Sequence, residues 1–411
     1  MSKKEFVVGL DIGTTKICCL VGEIVERLPV PAIDIVGIGT APSRGLQKGV
    51  VVNIDHTVES ITKAVKEAER MAGIKISTVY VGIAGEHIQS FNSTGVVAVK
   101  EKEITSQDVN RVIEAAKAIA IPLDRETIHV IPQVYKINDQ DGIQDPIGMS
   151  GIRLEAKVHI VTAAVSSAQN LIKCANKAGL NVAEICLEPL ASSEAVLCQD
   201  EKDLGVILVD IGGGTSDIAI FKEGAVIHTS VLALGGDHIT NDIAKCLSTP
   251  KHEAEKIKIK EGSCFLHSVK SHETIEVAGI GGRKPCVFSK KFLKEVIELR
   301  VKEMFEFIHR EIMKSDYQKL PSTGVVITGG ASLLEGMLEL AAATLQMPLK
   351  LGVPQAVGGL TDIVRSPEYA TGVGLLKYGA KNYCQARFPM REKNIYSQVR
   401  GSMKAWIKDL F

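Results

Sequence analysis

Two short segments could cradle a phosphate chain. In Asp-Ile-Gly-Thr-Thr-Lys (residues 11–16), Asp11 ends an apolar run, Gly13 lets backbone approach a ligand without a Cβ clash, Thr14 and Thr15 offer hydroxyls and amides, and Lys16 brings a cation. In Asp-Ile-Gly-Gly-Gly-Thr-Ser-Asp (210–217), Asp210 takes the place of Asp11, and Gly212, Gly213 and Gly214 give a run of amides able to form an anion-binding nest. Facing hairpins of this type would hold a polyphosphate from both sides. The two aspartates would then hold hydrated Mg²⁺, a hard cation that keeps its waters and takes carboxylate oxygens. A third segment, Thr-Gly-Gly-Ala-Ser-Leu-Leu-Glu-Gly (328–336), follows another apolar run, and its Gly329 and Gly330 are expected to lead into a helix whose first amides can meet an anion. One Gly-rich turn after a strand is commonly structural; the pair and the third loop together point to phosphate. Neither a Walker A pattern nor a G-x-G-x-x-G after the first strand is present, so P-loop and dinucleotide readings fall.

The elements that must position these loops form a repeat. Phe6 to Ile24 and Gly205 to Gly224 share one plan: a buried apolar strand, Asp-Ile-Gly, a small turn and a second apolar strand. Each copy is followed by a further strand, a helix (Asp55 to Met71; His238 to Leu247) and another strand, which predicts two α/β halves around a cleft. Ligands of such sheets lie beyond the carboxyl ends of the strands, where the Gly-rich turns are. Residues 86–158 interrupt the first half with a polar strand, a helix capped by Thr105 or Ser106, the strand pair His-Val-Ile-Pro-Gln-Val-Tyr-Lys-Ile-Asn and a Gly/Pro/Asp-rich turn, enough for a separate subdomain. Residues 236–314 interrupt the second with two helices around a short β region, and the helix from Ser289 to Met313 reads as core and interdomain packing.

The chain has 411 residues, 45% apolar and 23% charged, with 48 Lys and Arg against 48 Asp and Glu, which excludes disordered and fibrous classes and gives no basic excess for coating nucleic acid. Its nine cysteines are odd in number, form no C-x-x-C pair and mostly sit in apolar runs, so they read as small buried hydrophobes of a reducing compartment. His129, His159, His228 and His309 have no partners at metal-binding spacing. The start of the chain does not read as a signal peptide, and the chain is expected to stay in the cytoplasm.

The neutral total hides an asymmetry. Residues 380–411 hold seven basic side chains against two acidic, a charge of +5, leaving −5 on residues 1–379. Residues 380–394 read as a linker. Beyond them, residues 395–411 form an amphipathic pattern. Val399, Met403, Trp406, Ile407, Leu410 and Phe411 share one arc, Lys404 and Lys408 lie beyond its edge and Arg400 is on the rim. A helix with aromatic anchors and basic residues beside its apolar face fits in-plane attachment to an anionic membrane; the competing reading is a terminal helix docked on its own domain.

Together, the two hairpins, the loop Ile-Thr-Gly-Gly-Ala-Ser-Leu-Leu-Glu-Gly, the segments Glu-Pro-Leu-Ala-Ser-Ser-Glu-Ala-Val-Leu (188–197) and Glu-Tyr-Ala-Thr-Gly-Val-Gly-Leu-Leu-Lys-Tyr-Gly (368–379) and Ala-Glu-Lys-Ile-Lys-Ile-Lys-Glu-Gly (254–262) are similar to the superfamily of actin, DnaK-type chaperones and sugar kinases. Within it, the chain resembles the FtsA family of bacterial division proteins from first strand to last helix. The resemblance implies an actin-like ATPase fold. Its first half (1A) would be residues 1–85, 159–200 and 366–379, with 86–158 inserted (1C). Its second half (2A) would be 201–235 and 315–365, with 236–314 inserted (2B).

The resemblance also assigns roles. Gly13, Thr14, Thr15 and Lys16 would hold phosphates from one side and Gly212, Gly213, Gly214 and Thr215 from the other, with Asp11 and Asp210 flanking Mg²⁺. Gly235 and Gly236 would line the cleft near the sugar, Glu255 and Lys258 would contact ribose and adenine, and Gly329, Gly330 and Ala331 would pack on the adenosine. Glu255 and Lys258, three apart, share a helix face and would otherwise read as a surface ion pair. Glu188 stands where the superfamily positions the attacking water, though Glu-Pro is also good capping chemistry at a helix start. The implied work is nucleotide-controlled filament assembly on the cytoplasmic face of the membrane at the division site. Residues 236–314 would dock the C-terminal peptide of the tubulin-like protein FtsZ, and 86–158 would contact the next protomer and later division proteins. Weak hydrolysis is compatible with this. A pilus-assembly relative and a small-molecule kinase share the ATP loops, the latter without a clear substrate base here; a DnaK-type chaperone would need a long domain after Gly379, where thirty-two residues remain.

Overall fold

The computed structural model describes residues 4–26, 32–264, 273–315 and 323–387. Two mixed sheets repeat one topology. In the first, Ala32–Pro42, Lys16–Glu26, Phe6–Ile12, Thr78–Ile83 and Asn181–Leu187 lie side by side; in the second, Ala225–Leu232, Ser216–Lys222, Val206–Ile211, Val325–Thr328 and Leu349–Leu351 take the same places. In both, the central strand pairs antiparallel with its hairpin partner and parallel with the strand on its other side. The duplication expected from sequence is present in these five strands, and the first sheet adds a sixth, Gly358–Gly359, beside Ala32–Pro42. Unbroken Val/Ile/Leu runs such as Val206–Ile211 are buried along their whole length, as strands covered on both faces must be.

Each half has its own core. In the first, Ile61, Ala64, Val65 and Ala68 of the helix Ile54–Ala72 pack on Leu10, Val81 and Ile83. Gly73, at φ +66°, stops that helix in the left-handed conformation, as its sequence position suggested. In the second, Ile239 and Ile243 of Gly236–Cys246 and Val301, Phe305 and Ile308 of Lys290–Lys314 cover Ile207, Val209 and Ile327. Between the sheets, the helices Glu188–Val196 and Ala370–Arg387 cross. They touch so closely that a Cβ on Gly374 would lie 1.8 Å from the Ala191 carbonyl oxygen.

The insertion in the first half is a four-stranded sheet ordered Gln89–Ala98, Arg153–Ala164, Arg125–Ile137, Gln140–Ile143, backed by the helix Ser106–Lys117. Thr105, not Ser106, is the N-cap, and its hydroxyl and Asp108 form a capping box. The expected strand pair around Pro132 is one strand, Arg125–Ile137. Proline has no N–H for the ladder, and the register shifts there, so that Gln133 is left unpaired as a bulge. The shift aims the Gln133 amide at the second half, where its Nε2 donates to the Val226 carbonyl at 2.8 Å. Asn92 Nδ2 and Ser90 Oγ donate to the Ile227 and Thr229 carbonyls at 3.2 and 2.7 Å. His159 bridges Asn92 Oδ1 and Thr229 Oγ1 at 2.8 and 2.9 Å, and burial, with His228 and His129 nearby, pushes its pKa down to about 3. The insertion is thus tied by side chains to the edge strand of the opposite half.

Other expectations need correction. Among the described residues, the second insertion holds three α-helices where two were expected, Gly236–Cys246, Lys251–Glu261 and Lys290–Lys314, around the hairpin of Thr274–Val277 and Cys286–Ser289. The linker expected from residue 380 does not begin there, because helix Ala370–Arg387 continues through Ala-Lys-Asn-Tyr-Cys-Gln-Ala-Arg, a run free of Gly and Pro. Gly330 opens one 3₁₀ turn, Gly330–Leu333, and the following α-helix starts only at Met337, so no α-helix N-terminus faces the cleft from that loop. Cys18, Cys19, Cys174, Cys186 and Cys264 are buried as expected, but Cys198, Cys246 and Cys286 are exposed. The amphipathic segment with Val399, Arg400, Met403, Lys404, Trp406, Ile407, Lys408, Leu410 and Phe411 lies outside the described residues. Among those described, no helix is long and apolar enough to cross a membrane.

The helix crossing gives a stability prediction. Alanine at Gly374 would gain about 1 kcal/mol of helix propensity. The overlap with Ala191 costs more, so Gly374→Ala should destabilise the fold by about 2 kcal/mol, read as a lower midpoint in denaturant unfolding.

Candidate functional site

The two hairpins meet across one cleft. In the first, the Gly13 amide donates to the Lys16 carbonyl at 3.1 Å; in the second, the Gly212 amide donates to the Thr215 carbonyl at 2.9 Å. The tips interlock: a Cβ on Gly213 would lie 2.4 Å from Thr15 Cγ2, and one on Gly214 2.4 Å from Thr14 Oγ1. Here the absence of a side chain is a packing requirement. Gly329, at φ +88°, approaches from the third loop, and a Cβ there would fall 2.3 Å from Asp210 Oδ1.

The resulting cleft has a volume of about 150 Å³ and opens to solvent. Asp11, Gly13, Thr14, Thr15, Lys16, Glu188, Asp210, Gly212, Gly213, Gly214, Thr215, Gly329 and Gly330 all line it. Gly235, Gly236, Glu255, Lys258 and Ala331 do not, but they form a group joined to its wall. The Gly236 and Asp237 amides donate to the Gly212 and Gly213 carbonyls at 2.9 and 2.8 Å. A Cβ on Gly236 would stand 3.4 Å from both Ala331 Cβ and Lys258 Nζ. Lys258 Nζ pairs with Glu255 Oε2 at 2.8 Å and donates to Thr240 Oγ1 at 2.9 Å, while the Thr240 hydroxyl bonds the same carboxylate. The pair expected from its i, i+3 spacing exists and is fastened to the helix beside the cleft.

Four carboxyl groups dominate the electrostatics. Burial pushes Asp11 up to about 7, opposed by Lys16 and aided by Asp210. Burial also raises Asp210, to about 6, against hydroxyl hydrogen bonds from Thr371 and Ser192. Asp217 and Glu188 stand well above the ordinary carboxylate range, through burial and then through repulsion from acidic neighbours in the cleft. Asp217 Oδ2 accepts from Thr215 Oγ1 at 3.0 Å, but its Oδ1 is buried without a partner. Such a set calls for a cation. Among the described residues no three His, Cys, Asp or Glu side chains are grouped so that they could hold one metal ion.

Several lining residues were not singled out from sequence. Asp217 pairs across the hairpin with Asp210 as Cys18 does with Asp11, so the second copy of the motif carries an extra carboxylate; the final Asp of 210–217 was the available signal. Glu368 and Thr371 come from more than 150 residues away: Thr371 Oγ1 donates to Asp210 Oδ2 at 3.1 Å, and Glu368 holds Lys16. Gly49, at the tip of a small hairpin, donates its amide to Thr14 Oγ1 at 3.1 Å. No local pattern announces these three.

Comparison with known proteins agrees with this layout. The sequence profile of the family described as Cell division protein FtsA matches residues 207–374. That of the SHS2 domain inserted in FTSA matches residues 85–162, the inserted sheet described above. Cell division protein FtsA of Pseudomonas aeruginosa is 48% identical over 99% of this chain and 98% of its own length. Among solved structures, the PilM-PilN type IV pilus biogenesis complex covers 91% of this chain and 98% of its own at a TM-score of 0.66 and 18% identity. MreB5 of Spiroplasma citri bound to ADP covers 93% of this chain and 98% of its own at 0.54 and 15% identity. These two likenesses establish the actin-like fold.

The buried carboxylates give a pH prediction. A carboxyl whose folded pKa exceeds its unfolded value opposes folding once the pH is high enough to ionise it in the unfolded chain. The ligand-free protein therefore loses stability from Asp210 as pH rises from about 4 to above 6. Asp210→Asn should raise its stability at pH 8 by about 2–3 kcal/mol, a gain that fades toward pH 4 in parallel unfolding curves.

Proposed function

The chain belongs to the FtsA family of actin-like cell division proteins, and we propose that it binds ATP with Mg²⁺ in this cleft, assembles into filaments on the cytoplasmic face of the membrane and holds FtsZ at the division site. The observation that carries the nucleotide reading is the meeting of two interlocked Gly/Thr hairpins over buried carboxylates that need a cation. Successive amides of Gly212, Gly213 and Gly214, the hydroxyls of Thr14 and Thr15 and the ammonium of Lys16 would bind phosphate oxygens. Asp11 and Asp210, with Asp217 behind them, would hold Mg²⁺ through water, and the ion would supply the positive charge between carboxylates and phosphates. Gly235, Gly236, Glu255, Lys258, Gly329, Gly330 and Ala331 lie together beside the phosphate loops, where a nucleoside would extend.

Phosphoryl transfer depends on positioning and charge. Glu188 opens the connecting helix Glu188–Val196 at the cleft wall, where it could orient a water. In the ligand-free cleft, burial and three acidic neighbours raise its pKa well above the ordinary carboxylate range. We infer a cleft that binds ATP, with weak hydrolysis compatible with it. The basic, apolar-faced segment 395–411 would attach the chain to anionic lipid, residues 236–314 would take the FtsZ peptide, and 86–158 would meet the next protomer and later division proteins. Many weak anchors in one filament would add by avidity.

Two outcomes are expected. Gly213→Val should weaken ATP binding by more than about tenfold, because its Cβ drives into Thr15; titration with a fluorescent ATP analogue reads this. In co-sedimentation with anionic vesicles, FtsZ and Mg-ATP, the full chain should carry FtsZ into the pellet, and a chain ending at Arg387, where the last described helix ends, should not. Equal pelleting by both chains would contradict the anchor.

A further inference from the structure

Lys16 is the cation of the first phosphate hairpin, yet all the contacts of its ammonium lie on one neighbouring turn. Among the described residues, Nζ donates to the Glu368 carbonyl oxygen at 3.0 Å and to Glu368 Oε2 at 3.0 Å and stands 4.0 Å from the centre of the Tyr369 ring, while Asp11 acts on it through charge alone. An ammonium has three protons, and two hydrogen bonds with a π face account for its directions. Lys16 and Glu368 both line the cleft, so the carboxylate bonds the ammonium on the surface a phosphate would share. The cleft already holds four other carboxyl groups with raised pKa. The Glu368 carboxylate opposes an entering polyphosphate, both by repulsion and by occupying its cation.

We infer that Glu368 is an internal competitor for phosphate: it holds Lys16 when the cleft is free of nucleotide and gives the ammonium up, in whole or in part, when a nucleoside triphosphate enters. Its place in the fold makes the exchange consequential. Glu368 sits in the 3₁₀ turn Pro367–Tyr369, which runs directly into the helix Ala370–Arg387. That helix carries Thr371, bonded to Asp210 of the other half, crosses Glu188–Val196 through Gly374, and extends about 27 Å from the cleft. Release of Lys16 removes one tie on the start of this helix, so phosphate occupancy is read by the element that joins the two halves and leads toward the end of the chain. The inference rests on the nucleotide reading above and adds to it which residue senses the phosphate.

The test uses the full chain and Mg-ATP or Mg-ADP. Glu368→Gln keeps the shape and the carbonyl contact but removes the charge. Because both side chains of the pair are partly exposed, at 26% and 38%, the effect is moderate: ATP affinity should rise about fivefold, more than ADP affinity, and the gain should shrink as salt is raised. Glu368→Asp, which retains charge but cannot reach Nζ as well, should fall between. Hydrogen exchange gives a second readout: amides of residues 369–372 should change on adding ATP to the wild type, and ligand-free Glu368→Gln should already show part of that change. Unchanged or weaker ATP binding by Glu368→Gln, with normal binding by the wild type, would overturn the competitor role and leave the nucleotide reading standing. No measurable ATP binding by the wild type would overturn both.

Discussion

Burial of negative charge between two halves is the constraint on which the rest of the structure turns. Asp11 and Asp210 end the central strands of the two sheets, Asp217 and Glu188 stand beside them, and all four have pKa values above the ordinary carboxylate range. Desolvating one carboxylate is costly, and placing several together compounds the cost through repulsion. A fold keeps such a cluster only if something else is gained, and here the surroundings say what: loops without side chains, amides in succession and one lysine held in reserve. The same charges that oppose folding of the ligand-free protein would be neutralised by a cation carried in with phosphates. Occupancy of the cleft would therefore stabilise the folded protein.

Duplication supplies the geometry. Each sheet ends its central strand on an aspartate and turns back through a glycine, so two equivalent hairpins face each other across the join. The halves are not interchangeable, however. The second has Asp217 where the first has Cys18, and the first alone brings a lysine into its turn. The inserted sheet adds a further tie. It is covalently part of the first half but hydrogen-bonded by Gln133, Asn92 and Ser90 to the edge strand of the second. Rotation of the halves must move this contact, which gives a surface distant from the cleft a mechanical connection to it.

Much of this was legible in the sequence because it is written locally. Strands were visible as short apolar runs, the duplication as a repeated Asp-Ile-Gly, and the helix stop at Gly73 as a glycine after an amphipathic stripe. The phosphate hairpins were legible for the same reason: their chemistry sits within a few consecutive residues. What was missed is non-local or depends on competing local preferences. Glu368, Thr371 and Gly49 reach the cleft only through tertiary folding. The segment around Pro132 forms one strand and not a pair, because a bulge at Gln133 absorbs the proline's missing N–H. The polar, basic composition after Gly379 suggests a linker, but the helix continues, and Gly379 is a glycine because the Tyr80 ring packs against it.

The central claim, that the carboxylates and hairpins form a cation-dependent nucleotide site joining the two halves, is tested most directly by thermal unfolding of the full chain with ATP and Mg²⁺, with ATP and a chelator, and with Mg²⁺ alone. A ligand at a hundredfold excess over its Kd stabilises by about 2.7 kcal/mol, a rise of several degrees for a chain of this size. The account predicts that rise with ATP and Mg²⁺ together and a much smaller one when either is withheld. No shift with both present, or the same shift in chelator, would contradict it.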